Sequence, residues 1–471
     1  MDLEVAKKLI TEYVSSHADF IAKAEVAERY YRVDNDIMHR PPKHTDTTSS
    51  ETDNPMRSAD NRIPFSFYKL LVNQKAGYMF TAPPSFDVRD DLANEQIADD
   101  LGDAYAKKCK DLCVNASNAG VAWVHYWSDQ AEGFQWGVVP SYQIIPVWSP
   151  KLDKKLLACL RVYKDYADNG DVYDVYEYWT DTECQAFRKL SSLDISKGLE
   201  YYPLFTDFYV NGLSDADYQL KHDFGRPPFI PFFNNNIGSR DLDEIKHLID
   251  AYDKTYSGFV DDLEDIQQVI FVLTNYGGEN LQQFLQDLKY AKAIQIDSAG
   301  ADDKSGVSTL SIEIPVEARD KLLETTRKAI FDMGQGIDPQ QQGFDNTSGE
   351  AMKFLYSLLE LKSGMMETEF RLGFGELVRA ICRAHGTDSK HILQTWNRTS
   401  ISNDAELVDM CSKSAGIVSK KTILRNHPFV ENVEDEEKEL EEEQAENDVY
   451  ANSTMTQGSN EPPTEGGEPD V

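Results

Sequence analysis

Leu242, Ile245, Ile249, Tyr252, Tyr256, Phe259, Leu263 and Ile266 follow one another at alternating spacings of three and four residues. A 3.6-residue period keeps such positions on one face, so the stretch demands a long helix packed along its length against another helix. The intervening positions are strongly acidic: Asp241, Asp243, Glu244, Asp250, Asp253, Asp261, Asp262, Glu264 and Asp265. Two readings of that second face stay open, a solvated surface and a functional one. Lys246 and Lys254 either face outward with the acids or pair with them at i±4.

This helix constrains the chain beyond it. "VIFVLTNY", the Gly277-Gly278 turn, "ENLQQFLQDLKYAKA", "IQID", "SAGADDKSG" and "VSTLSIEIP" read as a small mixed unit over 268–315. The next stretch, "VEARDKLLETTRKAIFDM" (316–333), is helical again, which puts that unit at the tip of a helical hairpin. Then "GQGIDPQQQGFDNTSGE" interrupts. Glycines at 334, 336, 343 and 349 permit turns, and Pro339 blocks a continuous helix. Thr347 and Glu350 have capping-box spacing, so a new helix starts there and runs to about His385. It turns Met352, Leu355, Leu359, Met366, Phe370, Phe374, Leu377 and Ile381 inward, with Gly364, Gly373 and Gly375 as candidate kinks. A strand in "HILQTWNR" and two short helices, "DAELVDMCSKSAG" and "SKKTILRN", complete the ordered body.

Upstream, residues 2–30 form an amphipathic helix, a polar loop follows, and "NRIPFSFYKLLVNQKAGYMFTAPPSFDV" carries a short helix ended near Gly77 and Pro83-Pro84. A further helix is expected from Asn94 to Ala119. From Gly120 the period becomes two, and "VAWVHYWSD" through "LEYYPLFTDFYV" reads as a meandering antiparallel sheet. "RPPFIPFF" follows as an edge segment, because proline cannot donate to a central ladder. The fold class is α+β.

Charge and chemistry narrow the function. Lys and Arg number 47 against 81 Asp and Glu, a net charge of −34, the opposite of a protein that grips phosphates. Fifteen acids and one base lie in 431–471, so residues 434–471 are expected to be an acidic, disordered tail. The six cysteines form no framework, with Cys109 and Cys113 on one helix face. No apolar run approaches eighteen residues, so a reduced, intracellular, membrane-free chain is expected, with its sequons chance matches. Phosphate loops, dinucleotide fingerprints, nucleophile elbows and zinc-protease motifs are all lacking. His385 and His391 lie across a turn without ligand-spaced partners. Carboxylate pairs such as Asp261-Asp262 and Asp302-Asp303 are too common here to inform. The expectation is no catalytic residue, no metal and no cofactor.

The segments "NRIPFSFYKLLVNQKAGYMFTAPPSF", "GVAWVHYW", "RPPFIPFFNNNIGSRDLDEIKHLIDAYDKTYSGFVDDLEDIQQVIFVL", "SGEAMKFLYSLLELKSGMMETEF" and "SKKTILRNHPFVENVEDEEKELEEE", in this order, resemble tailed-bacteriophage portal proteins of siphophages of Gram-positive bacteria. The resemblance spans about 5 to 445. It implies a portal fold: a wing (1–238) with an antiparallel β-rich part, a stem helix (239–267), an α/β clip (268–315), a second stem helix (316–333), a tunnel loop (334–349), a long wing helix (350–385) and a helical crown (386–433). It also implies a ring, usually of twelve subunits, at the capsid vertex of the virion, assembled in the host cytoplasm. Double-stranded DNA would pass through it during packaging and ejection. The implied partners are the terminase large subunit, a head-completion adaptor, and major capsid and scaffolding proteins. The residues implied to contact DNA in the tunnel loop are Gln340, Gln341, Gln342, Phe344, Asp345 and Asn346, with the orientation of Phe344 open. Those implied to line the channel or pack the stem are Lys246, Asp250, Asp253, Lys254 and Asp261. The alternatives are another ring-forming phage head-tail connector and an acidic intracellular hydrolase.

Overall fold

The computed structural model describes residues 1–41, 59–129, 133–266, 270–274, 306–310, 315–340, 349–387, 389–398, 404–430, 433 and 436–440. Two compact units result. One comprises 1–340 with 358–399, and the other 341–357 with 400–471.

The first unit opens with α1 (Leu3–Tyr31), which buries Ala6, Ile10, Ala24, Ala27 and Tyr30 along one face. A one-turn helix α2 (Asp36–His39) and α3 (Phe67–Met79) come next, the latter continuing two residues beyond Gly77. After the short strand β1 (Ser85–Asp87), the helix expected over Asn94–Ala119 is in fact two: α4 (Asp91–Leu101) and α5 (Tyr105–Ala119). Gly102 separates them at φ +73°, a left-handed backbone that ends α4.

The β-rich region resolves into two sheets, not one meander. β2 (Val121–Asp129) pairs with β3 (Gly133–Val139) and also with the distant β10 (Phe229–Phe233), giving the order β10-β2-β3. β10 lies at the edge, with Pro231 opposite Trp123, where its missing N–H costs little. The second sheet runs β4 (Ile144–Trp148), β5 (Leu156–Tyr166), β6 (Val172–Trp179), β7 (Glu183–Leu190) and β8 (Glu200–Tyr201), all antiparallel. Here "LEYYPLFTDFYV" departs from expectation. After the short helix α6 (Ile195–Gly198) it supplies only the two-residue β8 before α7 (Thr206–Val210), with Pro203 between them. β9 (Gln219–Lys221) adds to β7.

The acidic heptad stretch is α8 (Leu242–Ile266), and 316–333 is α9 (Val316–Met333). They pack antiparallel: Ile330 and Phe331 join Leu242, Ile245, Ile249 and Tyr252 in one core, while Arg319 pairs with Asp262 near the other end. The stripe loses cover toward that end, where Leu263 is 47% exposed. Beyond it, β11 (Ile270–Thr274) and β12 (Gly306–Leu310) pair antiparallel, Ile270 opposite Leu310.

The long helix α10 (Gly349–Ala384) buries Leu359, Met366, Phe370, Phe374, Leu377 and Ile381. Helical hydrogen bonding continues through Gly364, Gly373 and Gly375, so none of them ends it. Gly373 is explained by packing: a Cβ there would sit 2.7 Å from the ring of Phe232. β13 (Leu393–Thr395) then pairs with β1. In the second unit, α11 (Asp404–Lys413) and α12 (Lys420–Asn426) are described, the latter capped by Ser419, which accepts from the Thr422 amide. All six cysteines are free and buried.

Candidate functional site: the acidic helix and the loop root

Three polar residues on α8 stand one helical turn apart: Asp253, Ser257 and Asp261. Each accepts from a backbone amide of the extended segment beside it. The partners run in reverse order: Phe65 N to Asp253 at 3.0 Å, Ile63 N to Ser257 at 3.0 Å and Asn61 N to Asp261 at 2.6 Å. The spacings match physically, because four helical residues rise about 6.0 Å and two extended residues about 6.6 Å. The helix thus presents an acceptor ladder of side chains to a strand-like segment. Asn35 Nδ2 adds a bond to Asp253 at 2.6 Å, and Asn61 Nδ2 one to Asp261 at 3.0 Å. Burial pushes the Asp253 carboxyl up to about 6, against the opposing pull of its two neutral donors.

Three further aspartates of α8 are paired as well. Asp250 accepts from the Tyr30 hydroxyl and from Lys246 at 2.8 Å, and Lys246 also reaches Asp36 at 2.5 Å. Lys246 therefore pairs at i+4, and although burial lowers its ammonium pKa, these carboxylates outweigh that and raise it. Asp243 pairs with Arg240 and Asp262 with Arg319. Of the five stem residues singled out by sequence, Asp253 and Asp261 are buried in the ladder, Asp250 and Lys246 are paired within the chain, and Lys254 is exposed. The acidic face is mixed: Glu244 and Glu264 are exposed, whereas Asp250, Asp253, Asp261 and Asp262 are buried or paired within the chain. The pattern Asp-x-x-x-Ser-x-x-x-Asp was visible in the sequence, but its partner segment lies almost two hundred residues away.

The loop root is built with equal definition. Gly336 N returns to Phe331 O at 3.0 Å and Gly334 N to Ile330 O at 2.9 Å, closing α9 in a Schellman-like turn. The left-handed residue of that turn is Gln335, at φ +54°. Glycine on either side of it lets Leu71 pack close, and that side chain would have to shift to admit a Cβ. A Cβ at Gly334 would lie 2.6 Å from Leu71, and one at Gly336 would also collide with that side chain. Gln74 then brackets Ile337, donating to its carbonyl at 2.7 Å and accepting from its amide at 3.0 Å. Arg327 holds Asp338 through two bonds of 2.9 and 2.7 Å. Asp338 also accepts from the Gln340 amide at 2.9 Å, and against burial the Arg327 guanidinium first, with this amide second, holds its carboxyl low. Gln340 is exposed at the end of this clamp. Gln341, Gln342, Phe344, Asp345 and Asn346, like the capping Thr347, lie outside the described residues.

Residues 11–450 match the family model described as phage portal protein, SPP1 Gp6-like. This chain belongs to the phage portal protein family. The portal protein of Clostridium phage phiCD119 is 39% identical over 460 residues, 93% of this chain and 95% of that one. The portal protein of Bacillus phage SPP1 is 30% identical over 434 residues, 88% of this chain and 82% of its relative. Among solved structures, chains from the necks of empty and native GTA particles are similar at TM-scores of 0.42 and 0.41. Each is 10% identical and covers 76% of this chain and 88% of its own length. As a portal protein the chain is a component of the virion capsid. Among the described residues, no cluster of three or more His, Cys, Asp or Glu could hold a metal, and no helix is long and apolar enough to cross a membrane.

Proposed function

We propose that this portal protein forms a ring, of twelve copies, at one capsid vertex, with double-stranded DNA moving through its channel during packaging and ejection. The α8–α9 hairpin is the stem, and the unit at its tip, 268–315, is the clip that meets the terminase large subunit and later the head-completion adaptor. Residues 334–349 form the loop that touches DNA. Major capsid and scaffolding proteins meet the same ring in the host cytoplasm during assembly. The protein acts as a channel and docking platform without catalysis of its own.

The observation that supports this reading best is the loop root. Residues 334–340 are clamped to α3, α9 and α10, while Gln340 is exposed at the point where the glutamine run begins. Uncharged amides make transient contacts to a moving phosphate backbone, whereas basic groups would release counterions and hold it. Replacing Gln340, Gln341 and Gln342 together by alanine is expected to change packaging velocity while leaving rings intact in electron micrographs. Unaltered velocity would reduce the run to a linker, and a chain that stays monomeric at every concentration and salt would end the ring reading.

A further inference from the structure

Several elements meet at one carboxylate. Asp241, the residue before α8, accepts from Lys75 of α3 at 2.6 Å and lies 3.2 Å from the ammonium of Lys362 on α10. Asn234 Nδ2 donates to its other oxygen at 2.8 Å, and Lys75 also donates to Asn234 Oδ1 at 2.8 Å. Asp241, Lys75 and Asn234 thus form a satisfied neutral set without Lys362. What Lys362 adds is a different bond, to the carbonyl of Gly334 at 3.0 Å, at the end of α9. Burial works against both charged forms. It would raise the Asp241 carboxyl, but the two ammoniums outweigh it and hold the group well below the usual range, whereas Lys362 itself is lowered. A second ammonium on a single carboxylate is costly to bury unless its remaining donors are used. Here one of them caps a helix C-terminus, where an unpaired carbonyl and the negative end of the helix dipole favour a cation.

We infer that Lys362 is the positioning residue of the loop root, tying the last turn of α9 to the residue that starts α8. One helix of the hairpin then cannot slide along the other without moving residues 334–340. The importance of this tie for DNA movement rests on reading 334–349 as the channel loop. The tie itself does not.

The test is amide hydrogen exchange on the full-length protein without DNA, comparing wild type with Lys362→Met and Lys362→Arg. Methionine keeps an apolar stem and leaves the Lys75–Asp241–Asn234 set complete, so the chain is expected to fold. The amides of Gly336 and Ile337 are expected to exchange at least about tenfold faster, as loss of local closure would cause. The amides of Ile63 and Phe65 on the α8 ladder are expected to keep wild-type rates, and arginine, which preserves charge and donors, to restore protection at 336 and 337. Unchanged protection at Ile337 would overturn the inference. So would uniform acceleration that includes Ile63 and Phe65, which would mark a merely structural residue. A Lys362→Met chain that fails to fold would also count against it, since Lys75 and Asn234 would then not suffice. Because no DNA is present, the result is separable from the packaging assay on Gln340 to Gln342.

Discussion

Asp253 is fully buried and is held by two neutral donors, the Phe65 amide and the Asn35 side chain. Its carboxyl is raised to about 6 in the folded chain, whereas an unfolded aspartate titrates near 3.9. The folded state therefore binds the extra proton between those values. Its stabilising contribution is complete below the unfolded value and is lost as pH rises through about 6, a difference of about 2 to 3 kcal/mol at neutral pH. Stability measured by urea unfolding is expected to fall between pH 4.5 and 7 by roughly that amount from this site. Asp253→Asn is expected to flatten that slope while retaining an acceptor for Phe65. If the variant and the parent show the same pH dependence over this window, the carboxylate does not titrate there.

Elements were legible wherever the apolar period was sustained. The helices at 3–31, 242–266, 316–333 and 349–384 follow from the 3.6-residue spacing of their apolar residues, and the edge position of Phe229–Phe233 follows from its prolines. The two-sheet division was not legible, because the pairing of Phe229 with His125 depends on tertiary contact and not on local pattern. The acceptor ladder of α8 was hidden for the same reason: Asp253 and Asp261 look like any surface acid until the segment at 61–65 is laid beside them. Gly373, a candidate kink in the sequence, owes its place at least to a contact that no local pattern shows. Gly373→Ala would gain up to about 1 kcal/mol in helix propensity, but its Cβ would meet three atoms of the Phe232 ring within 3 Å. Overpacking of this kind costs typically 1–3 kcal/mol, so the clash outweighs the gain. The variant is expected to unfold at a lower temperature than wild type, and a rise would mean that Phe232 repacks freely.

At the scale of the whole molecule, each copy carries a net charge of −34, so copies repel one another and an assembled ring needs apolar attraction. α10 offers a source. From Leu359 to Ile381 its inward stripe is buried, yet Leu358, Leu361, Met365 and Leu372 are 41, 58, 49 and 66% exposed. Their spacings of three, four and seven place them on one further face of the same helix. A helix apolar on two faces is expected to be covered on both, and four exposed apolar side chains along one face are unusual on a lone subunit. In the proposed ring, the neighbouring copy is expected to cover this row. The double substitution Leu361→Asp with Leu372→Asp removes apolar area only where the single chain is already open, so its helical circular dichroism and melting are expected to change little. Ring formation is expected to be lost, because each copy would set two buried, unpaired carboxylates into the interface. Sedimentation velocity distinguishes the outcomes: slow, folded single copies support the interface, whereas rings of unchanged size would show that neighbouring copies meet on another face.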